Sequence, residues 1–436
     1  MAQINVNFNN ITGPVKAMHS VGQPPFLGAN MDTLHYLTDA NIPHSRLHDV
    51  GGMYGAGIYV DIPNIFRDFN ADAENPESYD FAFTDHLIKE MIKNNIQPIY
   101  RLGVTIENYT HIKRYRTFPP ADFHKWAKIC EMIIRHYIEG WADGFHYNIT
   151  YWEIWNEPDN YEDPNENQMW KGTKEQYFEL YKVASKHLKA CFPHLKIGGY
   201  ASCGFYAIKK DKAAVKVANS SDRVDYFIEF MEAFFEYIKK ENCPLDFFSW
   251  HSYDNIENNK KYAYYARKRL DEYGFTDTET TCNEWNCFVK TKGTMFHAAN
   301  IAGMMLMFQD TPLDSAMIYD AKLGCGDYAP LFNSLTAEPF PAYYTFVAYN
   351  ELFKRKNQVE TVVDTDGIYA LTAIDGDDAY MVVANTTENA LPLNIIAQAE
   401  FTEFARLTEN GFVTNVFDNH KVNAFEVLCY KLKKIN

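Results

Sequence analysis

Tyr151-Trp-Glu-Ile-Trp-Asn-Glu-Pro-Asp159 begins as a short apolar strand candidate and ends in a polar stretch that carries Glu157. Thr280-Thr-Cys-Asn-Glu-Trp-Asn286 has the same form and carries Glu284. Each segment places a glutamate directly after an asparagine, where the predicted strand ends. Two carboxylates held on rigid strand ends are what cleavage of a glycosidic bond requires, since one donates a proton while the other attacks or activates water.

Strand candidates of this kind recur up to about residue 340, with amphipathic helical stretches between them. The strand candidates are Ala17–Gly22, Ser45–Asp49, Gln97–Gly103, Tyr151–Asn156, Lys196–Ser202, Asp246–Tyr253, Glu279–Trp285 and Ser315–Asp320. The helical stretches are Thr84–Asn94, Ala121–Ile138, Thr173–Ala190, Val224–Lys240, Lys260–Tyr273 and Thr294–Gln309. Eight β–α units in roughly 300 residues predict an α/β fold, a (β/α)8 TIM barrel with Glu157 after its fourth strand and Glu284 on its seventh.

A doubly wound open sheet is the alternative to the barrel. No Gly-x-Gly-x-x-Gly loop follows the first strand candidate, which disfavours that alternative. The glycine-rich stretch Gly51-Gly52-Met-Tyr-Gly55-Ala-Gly57 follows the second strand candidate instead. We interpret it as a βα loop at the rim of the site and not as a phosphate-binding loop.

The pattern changes after the helical stretch Pro341–Phe353. Asp364–Ala373 and Asp378–Asn385 alternate apolar and polar residues, and further strands continue to Lys434. This pattern predicts an accessory all-β module, a β-sandwich, which we expect Ile4–Phe8 to join as an N-terminal strand. The expected domains are a catalytic barrel over 15–350 and a sandwich formed by 1–14 with 351–436.

Length and charge limit the classes of partner. The 436 residues fit a barrel with an accessory module, and the net charge of −16 disfavours nucleic acid or an anionic membrane. No run of 18 apolar residues predicts a transmembrane helix. The N-terminus has no signal-peptide pattern, so we expect a cytoplasmic protein, or a periplasmic or secreted one if a leader was removed. Aromatic residues make up 16% of the chain, which suits either sugar stacking or a large aromatic core and leaves a homodimer open.

The cysteines and histidines do not form a pattern typical of metal or nucleophile chemistry. The eight cysteines include no CxxC pair, and we interpret Cys282 and Cys287 as buried thiols of a reducing compartment. His48 and His251 lie on separate strands without ligand spacing, so we expect no metal and no cofactor. Ser202 does not lie in a Gly-x-Ser-x-Gly elbow, which disfavours a serine hydrolase.

The two glutamates are expected to have different roles. Glu157 precedes Pro158, which we expect to hold it extended, and we assign it the acid/base, with a pKa raised by burial beside Trp155 or by Glu284. Glu284 is the candidate nucleophile and must stay ionised. Tyr253 and Arg46 are its candidate hydrogen-bond donors. The alternative for each glutamate is an ordinary ion pair.

Further polar residues end the predicted strands around this pair. Asn156 is a candidate donor to a sugar 2-OH, although alternation turns Asn156 and Asn283 away from the pocket unless the strand ends are bulged. His251 is a candidate partner of Glu157 or of a sugar hydroxyl. The other substrate-binding candidates are His48, Asp49, Trp285, Tyr319 and Asp320, of which Asp49 and Asp320 serve equally well as helix caps or as ligands of distal hydroxyls.

Four segments resemble clan A of the retaining glycoside hydrolases, and more narrowly glycoside hydrolase family 39, the β-xylosidase and α-L-iduronidase group. They are Trp155-Asn-Glu-Pro-Asp159, Ser45-Arg-Leu-His48, Phe248-Ser-Trp-His-Ser-Tyr253 and Asn283-Glu-Trp-Asn286. The resemblance implies the same roles for the two glutamates, and a −1 subsite lined by Asn156, His48, His251 and Tyr253. The chain departs at the eighth strand, where Ile318-Tyr-Asp-Ala321 replaces the Tyr-Trp pair of related enzymes.

These observations predict a retaining, β-xylosidase-like exo-glycosidase that acts on plant-type oligosaccharides. The retaining mechanism requires the two carboxyl groups to lie about 5–5.5 Å apart. No basic cluster matches a uronate-binding motif, which disfavours iduronic acid as the substrate. Three alternatives stay open at this point: an endo-acting clan A glycanase, an inactive carbohydrate-binding barrel, and an unrelated barrel enzyme such as a metal-dependent isomerase.

Overall fold

Eight parallel strands close into a barrel in the computed structural model, which describes residues 1–25, 34–50, 60–106, 116–208, 221–324, 326–414 and 420–435. The first strand of the chain, β1 (Ala2–Pro14), lies outside the barrel. The barrel strands are β2 (Ala17–Gly22), β3 (His44–Leu47), β4 (Gln97–Leu102), β5 (Tyr151–Ile154), β6 (Lys196–Ser202), β7 (Phe247–Ser252), β8 (Glu279–Trp285) and β9 (Ser315–Ile318). The predicted (β/α)8 barrel is therefore confirmed, with β5 and β8 as its fourth and seventh strands.

Nine helices of the described residues surround the barrel or extend its loops. They are α1 (His35–Asp39), α2 (Ile62–Ile65), α3 (Ala82–Lys93), α4 (Phe123–Ile138), α5 (Lys174–Cys191), α6 (Ser221–Lys240), α7 (Ile256–Tyr273), α8 (Met295–Gln309) and α9 (Pro341–Lys354). Short 3-10 turns lie at Pro76–Ser78, Tyr206–Ile208 and Val289–Thr291. No helix of these residues combines the length and the apolar content needed to cross a bilayer.

Side-chain caps determine where several helices begin. Thr173 and Gln176 form the reciprocal capping box that their spacing predicts at the start of α5. The helix predicted from Lys260 begins four residues earlier, at Ile256, because the Asn255 side chain accepts the backbone N–H of Asn258.

The other strands form one sheet beside the barrel. They are β10 (Asn357–Val363), β11 (Ile368–Asp375), β12 (Asp378–Asn385), β13 (Leu391–Ala397), β14 (Ala399–Thr408), β15 (Gly411–Thr414), β16 (Lys421–Val422) and β17 (Val427–Lys434). The order is β15-β14-β17-β12-β11-β10-β1-β13-β16. Strand β1 pairs antiparallel with β10 and parallel with β13, so the predicted joining of the N-terminal strand to the C-terminal strands is confirmed.

This sheet buries both of its faces. One face packs on itself, because the sheet curls and brings Ile4 and Phe8 of β1 into one apolar cluster with Leu393 and Phe404 from its two ends. The accessory all-β region is thus present and sandwich-like in its core. The opposite face packs on α8 and α9, where Leu371 and Val382 join the barrel core. Helix α8 is buried from His297 to Gln309, as expected for a helix enclosed on all sides.

Two further sequence predictions concern the glycine-rich stretch and the cysteines. The glycine-rich stretch 51–57 lies outside the described residues, so its assignment to the rim of the site remains a prediction. Seven cysteines lie within them and carry free thiols, and Cys282 and Cys287 are buried as predicted.

Candidate active site

Glu157 lies where β5 leaves the barrel, at a distorted strand end. Trp155 has φ 71° and Glu157 has φ 45°, so the prediction that Pro158 holds Glu157 in an extended conformation is wrong. The backbone N–H of Glu157 turns toward β6 and lies 3.2 Å from the carbonyl oxygen of Tyr200 and 3.1 Å from that of Ala201. The proline excludes a right-handed helical conformation, but the hydrogen bonds across to β6 select a left-handed one.

Strand β8 carries the second distortion. Its register with β7 shifts between Trp250 and His251, and its register with β9 shifts between Cys282 and Trp285. As a result Asn283 and Glu284 both face the barrel interior, which the sequence allowed only for a bulged strand end. Asn283 Nδ2 donates to Glu153 Oε1 at 2.6 Å, below the pocket.

Arg46 on β3 connects the residues beneath the two glutamates. Its Nε donates to Glu153 Oε2 at 2.7 Å, its Nη1 to Glu284 Oε2 at 3.2 Å and its Nη2 to Asn156 Oδ1 at 2.5 Å. The side chain is buried, so this ion pairing compensates the cost of removing three charges from water. Arg46 was predicted as a partner of Glu284.

Glu153 was missed by the sequence analysis. It is fully buried in the barrel, where its Oε1 also accepts a hydrogen bond from Ser249 Oγ at 2.6 Å. The available signal was a glutamate inside a four-residue strand, between the apolar residues Trp152 and Ile154. Such a residue must be paired, and its partner had to come from a strand far away in the sequence.

Each carboxylate oxygen of Glu157 has its own partner. Oε1 lies 2.7 Å from His251 Nδ1, which confirms the predicted contact with His251. Oε2 accepts a hydrogen bond from Asn160 Nδ2 at 3.0 Å. The side chain of Glu157 is 15% exposed, so it still opens toward the cleft.

Glu284 has the donors predicted for it. The Tyr253 hydroxyl donates to Oε1, Arg46 donates to Oε2, and His251 Nε2 lies 3.6 Å from Oε2. Burial raises the pKa of Glu284 above its ordinary value, and the charge of Glu157 adds to this effect against the opposing charges of His251 and Arg46. Its hydrogen-bond donors therefore offset only part of the cost of burial.

The protonation of Glu157 differs from the prediction. Burial alone would raise the pKa of Glu157, but the hydrogen bond and charge of His251, together with Arg223, lower it below its ordinary value. Burial lowers the pKa of His251, yet Glu284 and Glu157 outweigh burial and raise it. The contact between the two residues therefore favours the ionised form of Glu157 and the protonated form of His251, and the expected raised pKa of Glu157 is wrong for the unliganded site.

A second polar group lies on the ends of β3 and β9. The Tyr319 hydroxyl donates to Asp49 Oδ2 at 2.6 Å, and Asp49 Oδ1 lies 3.1 Å from His48 Nε2. His48 Nδ1 accepts a hydrogen bond from Arg101 Nε at 3.2 Å, so the neutral ring carries its proton on Nε2. Burial and the charges of Arg101 and Arg46 lower the pKa of His48 well below its ordinary value.

Asp320 has a carboxylate oxygen without a hydrogen bond. Its Oδ1 atom is buried and makes no hydrogen bond to any residue that the structure describes, whereas Asp49 Oδ1 faces the Nε2–H of His48. Burial is the main cause that raises the pKa of Asp320 to about 8, with a smaller contribution from Asp49 and opposition from Lys322. A buried carboxylate oxygen without a hydrogen bond costs folding free energy, and such atoms are typical of positions that bind a ligand.

Three tyrosine side chains lie close together on this side of the pocket. Tyr253 lies 6.4 Å from Tyr319 and 5.1 Å from Tyr328, measured between ring centroids. The eighth barrel strand therefore supplies Tyr319 as an aromatic side chain, although it lacks the tryptophan of related enzymes. Trp285 lies elsewhere: it is fully buried and packs edge to face on Phe308 of α8, outside the pocket, so its predicted contact with substrate is wrong.

The two glutamates lie close to each other and to His251. One carboxylate oxygen of Glu157, one of Glu284 and a ring nitrogen of His251 all lie within 4.8 Å of one another. These are donor types that also hold metals, but a protonated His251 and the Arg46 cation disfavour a further cation here. A second such group, Glu131, His187 and Cys191, lies on the outer helices, where Lys128 and Arg135 already pair with Glu131.

The candidate active site is not the only depression on the molecule. A surface cavity of 770 Å³ lies at the opposite end of the barrel, where the strands begin, and its lining includes Lys186, Cys243 and Phe275. It contains none of the groups described above. The two glutamates and their partners lie instead at the end where the barrel strands terminate, the end that carries the active site in other barrels of this type.

Known proteins share sequence and fold with this chain. A β-xylosidase from Geobacillus stearothermophilus is 28% identical over 225 residues, which is 50% of this chain and 39% of that protein. The chain thus spans about two fifths of that relative. Among solved structures, a glucosidase from Croceicoccus marinus has a TM-score of 0.77 at 20% identity, with 100% of this chain and 99% of that one covered.

A second solved structure carries the name of the family found by the resemblance. The GH39 β-xylosidase from Caulobacter crescentus has a TM-score of 0.67 at 16% identity and covers 99% of both chains. At these identities the two structures support the fold. The family model described as glycosyl hydrolases family 39 matches residues 32–319, which include both glutamates and all but the first strand of the barrel. The chain therefore belongs to family 39 of the glycosyl hydrolases.

Proposed function

We propose that this protein is a retaining, β-xylosidase-like exo-glycosidase acting on plant-type oligosaccharides, with Glu157 as acid/base and Glu284 as nucleophile. The observation that carries the proposal is that one carboxylate oxygen of Glu157 lies within 4.8 Å of one carboxylate oxygen of Glu284. Retaining enzymes hold their carboxyl groups about 5–5.5 Å apart, whereas inverting enzymes leave room for water at about 6.5–9.5 Å. The β-xylosidases among the related proteins support the choice of sugar.

In the first step Glu284 attacks the anomeric carbon and the bond to the leaving oxygen breaks. Glu284 loses its negative charge as the glycosyl ester forms, and the leaving oxygen takes a proton from Glu157. Arg46 and Tyr253 hold the two oxygens of Glu284, so the nucleophile does not have to reorganise before it attacks.

His251 supplies the proton that Glu157 donates. Oε1 of Glu157 lies 2.7 Å from Nδ1 of His251, and this contact favours a carboxylate on Glu157 and a proton on His251. The charge of Glu284 is the largest of the causes that raise the pKa of His251, so its loss on esterification makes His251 more acidic. The proton then moves from Nδ1 through Glu157 to the leaving oxygen, in step with bond cleavage.

The second step runs in the opposite direction. Water attacks the anomeric carbon of the glycosyl-enzyme, its proton passes to Glu157 and His251, and Glu284 leaves as a carboxylate. The returning charge of Glu284 raises the pKa of His251 again and restores the starting state. Over the whole cycle one glycoside and one water are consumed, the free sugar and the leaving alcohol are produced, and Glu157, Glu284 and His251 are regenerated.

The neighbouring side chains fit the hydroxyls of one terminal sugar. Arg46 holds Asn156 Oδ1, which leaves the amide N–H groups of Asn156 for a 2-OH. Asp320 Oδ1, and the remaining lone pairs of the Asp49 carboxylate, would accept hydrogen bonds from hydroxyls at the distal end, next to Tyr319. A distal end closed by carboxylates favours a neutral sugar over a uronate.

A panel of aryl glycosides with wild type, Glu284→Gln, Glu157→Gln and Glu279→Gln tests the proposal. Glu279 lies at the other end of β8 and pairs with Lys196, so its variant is the matched control. We expect β-xyloside hydrolysis in wild type and the control, none in Glu284→Gln, and a loss of about 10²–10⁴-fold in Glu157→Gln for poor leaving groups.

Two product measurements complete this test. A 2-fluoro xyloside should add its glycosyl mass to wild type at Glu284, as read by peptide mass spectrometry. Xylo-oligosaccharides should lose single sugars from the non-reducing end. Mid-chain cleavage would overturn exo action, and an inverted anomeric product would overturn the retaining mechanism.

A further inference from the structure

Asn160 and Arg223 stand behind the acid/base glutamate, and neither belongs to the motifs of the sequence. Asn160 is 6% exposed and lies three residues after Glu157 in the loop that leaves β5. Arg223 lies in the first turn of α6, far away in sequence. Its Nε donates to the carbonyl oxygen of Asn160 at 2.8 Å, and its Nη2 donates to Asn160 Oδ1 at 3.2 Å.

These contacts fix the orientation of the Asn160 amide. A guanidinium has donors only, so the atom of Asn160 that faces Arg223 must be the oxygen. The amide nitrogen then points the other way, and it donates to Glu157 Oε2 at 3.0 Å. The amide therefore cannot turn over without losing both interactions.

Arg223 is itself held by aromatic rings. Its guanidinium carbon lies 4.2 Å from the ring centroid of Tyr161 and 5.3 Å from that of Phe227. Stacking on rings of this kind is a preferred arrangement for arginine. The cation thus has a defined position, close enough to Glu157 to stabilise its ionised form.

We propose that Asn160, held by Arg223, is a positioning residue that keeps Oε2 of Glu157 as a hydrogen-bond acceptor and stabilises the carboxylate form of the acid/base. With Oε2 occupied, the proton of the acid/base is exchanged at Oε1, the oxygen next to His251. Arg223 and Asn160 also favour return of the proton to His251 after each turnover. This inference rests on the acid/base role proposed for Glu157.

Other groups near Glu157 act on its ionisation as well. The charged and titratable ones that face it from the surrounding elements are His251, Glu284, Asp159, Cys203, Tyr206, Tyr253 and Tyr328. The carboxylates oppose its ionised form and His251 favours it. Asn160 adds a hydrogen-bond donor to Glu157 at Oε2, and Arg223 adds a cation that favours the same ionised form.

Three variants separate the contribution of the Asn160 amide from that of the Arg223 cation. Asn160→Asp keeps the volume and the acceptor for Arg223 but presents no N–H to Glu157. Asn160→Ala removes the amide, and Arg223→Met removes the cation while keeping an apolar side chain against the rings. Asn167→Ala is the matched control, because Asn167 lies in the same loop and contacts only backbone, through Pro158, Tyr161, Met169 and Trp170.

The first readout is the pH profile of kcat/KM. Loss of the donor or of the cation raises the pKa of Glu157, so the Glu157–His251 pair retains its proton to higher pH. We expect the basic limb to move up by about one pH unit in Asn160→Ala and Arg223→Met, which corresponds to one hydrogen bond to a charged group, and further in Asn160→Asp, whose carboxylate also repels that of Glu157. The limb should stay in place in Asn167→Ala, whose effect is on loop stability.

The second readout is the dependence on leaving group. Asn160→Ala should lower kcat/KM about tenfold for 4-nitrophenyl or alkyl xylosides, which need the acid. It should change it less than about twofold for 2,4-dinitrophenyl xyloside, which leaves without a proton. Equal losses on both substrates, as a merely structural residue would give, would overturn the proposal.

A titration without turnover separates this inference from the proposed function. Carboxyl-carbon NMR of 13C-glutamate-labelled protein, with Glu157→Gln to assign the signal, reports the ionisation of Glu157 directly. A higher titration midpoint in Asn160→Ala than in wild type is the expected result. An unchanged midpoint overturns the inference whether or not xylosides are hydrolysed, while an inactive wild type overturns the proposed function alone.

Discussion

Single side chains in the pocket are held by partners from distant strands. Arg46 comes from the second barrel strand, Glu153 from the fourth and Glu284 from the seventh, yet all three lie in one ion-paired group. Each of these charges would be unstable alone in the barrel interior. The buried network therefore holds Glu284 in place, and Arg46 also holds Asn156, the residue before Glu157.

Asp320 is the residue whose substitution should stabilise the protein. The pKa of Asp320 is raised from 3.8 to about 8, so the folded state resists its ionisation. The loss of folding free energy caused by ionising Asp320 in the folded state is absent below pH 4 and grows as pH rises toward about 8. We expect Asp320→Asn to raise Tm over wild type by an amount that increases between pH 4 and pH 8, as measured by scanning calorimetry.

The same variant should weaken binding. If Asp320 Oδ1 accepts a sugar hydroxyl, Asp320→Asn should raise KM for aryl xylosides while Tm rises. A Tm difference that is the same at pH 4 and pH 8 would contradict the linkage argument. Unchanged KM would remove Asp320 from the substrate pocket.

At the scale of the element, the strand ends matter more than the strands. Regular alternation correctly places Glu153 inside β5 and turns Trp285 outward, but it cannot place Asn283 and Glu284 on one side. The register shifts of β8 do that. Likewise, β6 supplies the two carbonyl oxygens that position the backbone of Glu157.

Gly198 tests the importance of this local geometry. A Cβ at this position would lie 2.1 Å from the carbonyl oxygen of Phe247 on β7, and backbone cannot move away without shifting the strand pair. We expect Gly198→Ala to lower the free energy of unfolding by about 1–3 kcal/mol, as overpacking does, in urea denaturation. Gly326→Ala, where a Cβ meets nothing within 4 Å, is the control and should be near neutral.

At the scale of the whole molecule, the barrel and the sheet share one core. Helix α8 lies between them, and Gly303 on this helix approaches both. A Cβ there would lie 2.9 Å from Ile256 of α7, 2.9 Å from Thr386 and 3.0 Å from Tyr369 of β11. The glycine therefore lets the sheet pack closely on the barrel.

Gly303→Val should separate the sheet from the barrel without reaching the pocket. We expect a loss of about 1–3 kcal/mol in stability, with kcat and KM on aryl xylosides within about twofold of wild type at 25 °C. Urea denaturation and steady-state kinetics of the same sample check this. A large fall in kcat with unchanged stability would instead make the sheet part of the catalytic machinery.

The sequence by itself determined the barrel, its strand order, the accessory strands and the two glutamates, because these depend on apolar periodicity and on motifs within a few residues. It also pointed to Arg46, Tyr253 and His251 as partners. Only the tertiary structure decided the conformation of Glu157, the direction of its pKa shift, the packing of Trp285 on Phe308, and the contacts of Glu153, Asn160 and Arg223. These depend on contacts between residues brought together by barrel closure, and on the electrostatic balance among buried charges, which no local pattern specifies.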